Sequence, residues 1–198
     1  MATINPHTID SALEELKNGN QRFVDNRSIH HHHDKTLLDK LAPCGQIPLA
    51  AVLSCSDSRV PTELVFDQGF GDLFVVRVAG NILGEGETGS LEYAVSYLGT
   101  PLVVVLGHTR CGAVGAAIRG ISEDGALGRL LERIRPAAQS VADLPDDQKE
   151  AAAIKKNVEL SVSQLTSQSP PLAEAVRQGR VKIIGAVYQI EDGRVIFY

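Results

Sequence analysis

The chain of 198 residues has no tryptophan, a single methionine and only three cysteines. An odd, small number of cysteines does not make a disulfide framework, so metal binding in a reducing compartment is the expected use of Cys55 and Cys111. Positive charge is also in short supply. Lys and Arg number 19 against 24 Asp and Glu, a net charge of -5. That balance argues against nucleic acid or an anionic membrane as partner, and the pair Lys155-Lys156 is too small to change it. No apolar run is long enough to span a bilayer. The start, MATINPHTIDSALEELKNG, lacks a basic segment followed by an apolar one, so no secretory signal is expected and a cytoplasmic address is the default. Internal repeats and linkers are missing as well. The length suits one domain over residues 1–198, with 1–45 reading as an N-terminal helical arm.

What is present is concentrated in two short motifs, each at the end of an apolar run. Leu49 to Ser54 (LAAVLS) leads into Cys55-Ser56-Asp57-Ser58-Arg59. Leu102 to Gly107 (LVVVLG) leads into His108-Thr109-Arg110-Cys111-Gly112. Such runs read as strands of a parallel sheet, buried on both faces. Around them, Thr8 is placed to cap a helix carrying Ile9, Leu13, Leu16 and Phe23. Val60 to Glu63 turns into a short helix. Asp72 to Val78 (DLFVVRV) reads as a strand, followed by a turn at Ala79-Gly80-Asn81. Thr88 to Leu98 reads as a helix ended by Gly99 and Pro101. Gly112 to Ile118 is a small-residue helix, and Ala126 to Val176 is mostly helical with breaks near Leu144-Pro145 and Ser169-Pro170-Pro171. Val181 to Ile190 and Val195 to Tyr198 close the chain as a hairpin. The expected fold is α/β: a mostly parallel central sheet flanked by helices, an antiparallel C-terminal strand and the helical arm.

In an open α/β sheet, functional groups gather beyond the carboxyl ends of the strands. Two thiols and an imidazole delivered there make three zinc ligands, leaving the fourth tetrahedral position for water or substrate. Cys111 precedes an expected helix N-terminus, which favours its thiolate. Two thiolates neutralise the dication, so bound water is acidified less than on three imidazoles, and another group must orient the hydroxide. Asp57 is that candidate, with Arg59 two residues on to hold its carboxylate by a bidentate pair. Loss of the pair would free Asp57 to swing onto the zinc and close the open position, a state favoured by acid. Cys44, between Pro43 and Gly45, reads as a spare thiol in a loop. His30 to His33 looks like an affinity tag set inside the chain, a solvated or partly ordered loop able to chelate stray transition metal.

At these residues the chain resembles the β-class carbonic anhydrases, of the plant-like type. The resemblance runs over nearly the whole length and rests on CSDSRVP at 55–61, FVVR at 74–77, GSLEYAV at 89–95 and GHTRCGAV at 107–114. It implies one Zn2+ per chain on Cys55, His108 and Cys111, and a catalytic dyad of Asp57 and Arg59. The implied reaction is hydration of carbon dioxide to bicarbonate and a proton by zinc-bound hydroxide. It also implies substrate contacts from Gln46, Phe74, Val78, Tyr93 and Gly112. Gln46, Phe74 and Tyr93 would be supplied across the interface of a homodimer or a dimer-based higher assembly. One subgroup builds a second bicarbonate site on a tryptophan three residues before the first zinc cysteine. Here that residue is Val52, so inhibition by that route is not expected, and the Asp57-Arg59 pair should be intact near neutral pH. His7 and the histidine run are candidates for a proton shuttle, with buffer as the alternative.

Two other readings stay open on sequence. Relatives on this fold hydrolyse carbonyl sulfide or carbon disulfide with the same zinc set. A non-catalytic, zinc-stabilised scaffold would prefer a fourth protein ligand or a missing dyad, whereas this chain has the dyad. A thiol redox protein is weaker, because there is no C-x-x-C.

Overall fold

A computed structural model describes residues 5–198. Its centre is a five-stranded sheet, β1 (Ala50–Ser54), β2 (Leu73–Arg77), β3 (Leu102–His108), β4 (Lys182–Tyr188) and β5 (Val195–Phe197), in the order β2-β1-β3-β4-β5. The first four strands are parallel, and only β5 runs antiparallel, against β4. Every residue of β1 and β3 is buried, as the unbroken apolar runs require of central strands covered on both faces.

The two faces carry separate cores because strand side chains alternate. Ala51, Leu53, Val103 and Val105 point to one side, where they meet α4 (Glu85–Ser96), α5 (Gly112–Ile118), α6 (Gly125–Gln139), α7 (Asp146–Gln168) and α8 (Pro170–Arg177). Ala50, Val52, Leu102, Val104 and Leu106 point to the other, against Ala12 and Leu16 of α1 (Ile9–Val24) and Phe66 just after α3 (Thr62–Val65). The fold class expected from sequence is therefore the one observed.

Local chemistry explains the element ends. The Thr8 hydroxyl accepts from the Ser11 amide (3.1 Å) and the Ser11 hydroxyl from the Thr8 amide (2.9 Å), a reciprocal cap that starts α1. The helix expected from Thr88 starts earlier, at Glu85. Gly86 and Gly89 weaken that first turn, while Glu85 and Glu87 favour it by their charge at the helix N-terminus. Cys44 is not in a loop, as its proline and glycine neighbours suggest, but is the last residue of α2 (Lys35–Cys44). Pro43 lies in the final turn, and Gly45 follows as the C-cap at φ 78°. No residue of α2 is buried within the chain, so packing left no periodic trace to read.

The histidine run is exposed in part yet held in place. Asp67 accepts from the amides of Ile29 and His30, both at 3.1 Å, and from Arg22 Nε at 2.6 Å. Burial would push the Asp67 carboxyl up, but Arg22 and the two amides outweigh it and hold it below the usual carboxylate range.

Asn20 ties the arm to the sheet. Its buried amide donates to the carbonyls of Val65 (3.0 Å) and Gly193 (2.9 Å) and accepts from the Val195 amide (2.8 Å). Asn20→Ala leaves those backbone groups unpaired in a dry place, and should lower unfolding free energy by about 2–4 kcal/mol in urea titration. A loss below about 0.5 kcal/mol would mean that water replaces the amide at no cost.

Candidate metal centre

The parallel register sets Ser54 of β1 beside Leu106 of β3, so Cys55 leaves the sheet at the level where His108 ends the neighbouring strand. Cys111 follows one tight turn later as the N-cap of α5. The two Sγ atoms and one imidazole nitrogen lie within 4.8 Å of one another, and all three residues are buried. Arg110 makes the turn possible by adopting φ 56°. For a residue with a Cβ, that conformation costs about 1–2 kcal/mol.

Each donor is aimed by a neighbour. His108 Nδ1 meets the Thr109 carbonyl at 2.8 Å, which places the proton on Nδ1 and leaves Nε2 with its lone pair. Nε2 is buried and has no hydrogen-bond partner. The Gly80 amide donates to Cys55 Sγ at 3.3 Å. That amide is reachable because Gly80 sits at φ 73° in a 3-10 turn (Ala79–Asn81), where a Cβ would lie 2.5 Å from Ile134 Cδ1. From α7, Asn157 Nδ2 donates to the Gly80 carbonyl (2.8 Å), locking the turn.

The thiols titrate as a pair. Cys111, with help from His108 and the Gly80 amide, holds the Cys55 thiol below its usual range against the opposing effect of burial. Cys55 and burial push Cys111 up, the amides of Val114 and Ala113 working the other way. Two buried sulfurs thus lie beside an imidazole nitrogen that no hydrogen bond satisfies. A divalent cation would satisfy all three donors at once, with the thiols deprotonated, and a Cys2His set is one that Zn2+ accepts.

The Asp57-Arg59 pair forms beside this cluster. Arg59 Nε and Nη2 donate to Asp57 Oδ1 (3.0 Å) and Oδ2 (2.8 Å), and the Arg59 amide adds a third bond at 2.9 Å. Arg59 therefore holds the Asp57 carboxyl well below the usual carboxylate range. Asp57 Oδ2 stands 3.9 Å from His108 Nε2.

Several supporting residues were not anticipated. Arg77, at the end of β2, donates to the carbonyls of Cys55 (3.1 Å) and Asp57 (2.7 Å) and so shapes the whole CSD segment. Arg59 Nη2 also donates to the Arg110 carbonyl (3.1 Å), joining the two motifs. Glu191 accepts from Thr109 Oγ1 (2.7 Å) and Arg110 Nε (2.6 Å), which hold its carboxyl down to about 2. An arginine closing the apolar strand LFVVR was a legible signal; Glu191, 81 residues from Arg110, offered none.

The other expected contacts are scattered, and only Gly112 adjoins the cluster in the chain. Gln46 and Tyr93 line an open cavity of about 550 Å³ with Leu38, Leu41 and Phe70, and none of the three metal-cluster residues or the Asp-Arg pair borders it. Phe74 and Tyr93 have ring centres 6.2 Å apart, and Tyr93 stacks on Tyr97. Val78 packs partly against the helical-side core, and its amide donates to the Ser54 carbonyl at 3.1 Å. Gly112, the exposed first residue of α5, adjoins Cys111 in the chain. His30 to His33 lie by the start of β2, at the sheet edge opposite Cys55, which removes them as proton shuttles within one chain.

Known proteins resemble both the chain and its fold. A family model described as carbonic anhydrase matches residues 50–195. Carbonic anhydrase 2 of Mycobacterium tuberculosis is 38% identical over 94% of this chain and 91% of its own length. Carbonic anhydrase of Mycolicibacterium smegmatis is 38% identical over 93% and 91%. Among solved structures, the β-carbonic anhydrase CafA of Aspergillus fumigatus matches with a TM-score of 0.75 at 28% identity, over 96% of this chain and 89% of that one. A Coccomyxa β-carbonic anhydrase, solved with acetazolamide, matches at 0.74 and 26% identity, over 93% and 85%. The two motifs fall inside the matched segment, and the chain belongs to the carbonic anhydrase family, in its β class.

Proposed function

We propose that the chain interconverts carbon dioxide and bicarbonate with one Zn2+ held by Cys55, His108 and Cys111, and with Asp57 and Arg59 orienting the nucleophile. The observation that carries this reading is the doubly bonded Asp57-Arg59 pair, 3.9 Å from a buried imidazole nitrogen with no partner. Bound there, zinc would supply the Lewis acidity that brings water ionisation toward neutral pH.

The side chains divide the remaining work. Asp57, kept ionised by a guanidinium that never loses its proton, accepts a hydrogen bond from the nucleophile and points its lone pair at the carbon of the substrate. Arg59 fixes the carboxylate's direction, and the Arg110 carbonyl fixes Arg59. With Asp57 held this way, its carboxylate is kept from turning onto the metal cluster.

Phe74, Val78 and Tyr93 suit an apolar substrate, Gly112 leaves room beside Cys111, and the Gln46 amide can donate to a substrate oxygen. Since Gln46 and Tyr93 border a cavity apart from the cluster of their own chain, they serve the site of a second copy in a homodimer or dimer-based assembly. The exposure of Leu38 (41%), Phe70 (43%) and Tyr97 (71%) supports an interface there. No described helix is long and apolar enough to cross a membrane.

Stopped-flow hydration of carbon dioxide tests the reading. Asp57→Asn should keep the fold and one zinc per chain yet lower kcat by about 100-fold or more; wild-type turnover would remove Asp57 from the mechanism. Cys111→Ser should bind well under one zinc per chain by elemental analysis, and full occupancy would contradict the ligand set. Because Arg59 keeps Asp57 ionised from mildly acidic to alkaline pH, the rate should climb above neutrality with ionisation of water alone. A flat profile would overturn that assignment. Faster turnover of carbonyl sulfide than of carbon dioxide would transfer the activity to the hydrolase reading.

A further inference from the structure

A second group of metal-ligating side chains lies at the other edge of the sheet. His32 Nδ1 meets Asp72 Oδ1 at 2.7 Å and Oδ2 at 2.9 Å, and His31 Nε2 meets Asp72 Oδ2 at 3.4 Å. One donor atom from each of the three residues falls within 4.8 Å of the others. Asp72 directly precedes β2, whereas Cys55 directly follows β1, and these strands are parallel neighbours. The two clusters therefore stand at opposite ends of strands that are roughly 16 Å long.

The group is organised by the backbone beneath it. The Phe70 amide donates to the His32 carbonyl (2.9 Å), and His33 Nε2 meets the Gln68 carbonyl (3.1 Å). Gly69 is required under the run, since a Cβ there would lie 2.4 Å from the His31 carbonyl oxygen and 2.6 Å from that of His32. Its amide donates to Asp72 Oδ2 at 2.9 Å, orienting the carboxylate as an outer-sphere partner orients a ligand. His31 faces Asp72 through Nε2, while its Nδ1, on the other side of the ring, is buried with no hydrogen-bond partner. The four histidines are thus unequal. His33 is engaged by a carbonyl, and His30 offers its ring to His33 at 5.5 Å rather than to Asp72.

We propose that His31, His32 and Asp72 form a second metal site, selective for a borderline divalent transition cation such as Zn2+ or Ni2+. Two imidazoles and one carboxylate match the nitrogen and oxygen preference of these ions and leave coordination positions for water. A tetrahedral ion with ligand bonds near 2.0–2.1 Å holds its donors about 3.3 Å apart. His31 Nε2 and Asp72 Oδ2 already stand at 3.4 Å, whereas His32 Nδ1 and the carboxylate, at 2.7–2.9 Å, must part slightly to admit the ion. The site joins the connection between α1 and α2 to the turn before β2. A bound ion clips the helical arm to the sheet without touching the catalytic cluster.

The test is equilibrium dialysis of the full chain against Zn2+ in a Cys44→Ser background, which removes the exposed spare thiol, with zinc counted per chain by elemental analysis. Two zinc ions per chain are expected at saturation, and one after His32→Ala or Asp72→Asn. His32 is half exposed, so its substitution does not threaten the fold. The double substitution His30→Ala, His33→Ala should retain two. Melting temperature should rise as the second ion binds in the parent and stay unchanged in His32→Ala. Saturation at one zinc in the parent overturns the site. So does a second ion that survives Asp72→Asn, or one lost with His30 and His33, since either would make the run an unstructured chelator.

Discussion

Everything functional in this chain depends on the parallel register of β1 and β3. Both strands are buried on both faces, so a slip of one residue would drive the side chains of each core into the other. The pairing of Ser54 with Leu106 is thereby fixed, and with it the level at which Cys55 and His108 leave the sheet. A cluster of two sulfurs and a nitrogen inside 4.8 Å follows from hydrophobic burial well before any metal is considered. The strained Arg110 then brings Cys111 back toward His108, a distortion the packed strand ends can hold in place.

Around that fixed geometry the electrostatics are built from backbone as much as from charge. Gly80 turns one amide toward Cys55, and Thr109 turns one carbonyl toward His108. Arg59 binds a carbonyl of the other motif, and Arg77 reaches from β2 to the carbonyls of Cys55 and Asp57, so that the loop carrying Asp57 is held on both flanks. The exposure of Arg59 matters less than its geometry, because two parallel hydrogen bonds fix direction even where water weakens the charge attraction. The edge at Asp72 follows the same logic: Asp67 and Gly69 hold a loop whose own residues have no helical or strand preference.

Much of this was legible along the chain. The apolar runs Leu49 to Ser54 and Leu102 to Gly107 announce central parallel strands, and Cys55, His108 and Cys111 follow them at once. Asp57 and Arg59 are two residues apart, so their pairing needed no knowledge of the fold. The arm is legible as helical, but the bounds of α2 are not, because it buries nothing within the chain and proline, cysteine and glycine mark its end. Glu191 and Asn157 escaped because their partners are 81 and 77 residues away, and long-range partners leave no local periodicity. Gln46 and Tyr93 illustrate the opposite limit, since they share an open cavity that none of the metal-cluster residues borders.

The sequence by itself determined the fold class, the strand ends and the donor types, because those follow from burial patterns and from side-chain chemistry carried by neighbours in the chain. Only the tertiary structure decided how the donors meet. Strand order, register and the positive φ of Gly80 and Arg110 are settled by packing among distant segments. The histidine run shows the division most plainly. Four identical side chains are indistinguishable in sequence, and the carboxylate of Asp72, some 40 residues on, is what separates His31 and His32 from their neighbours.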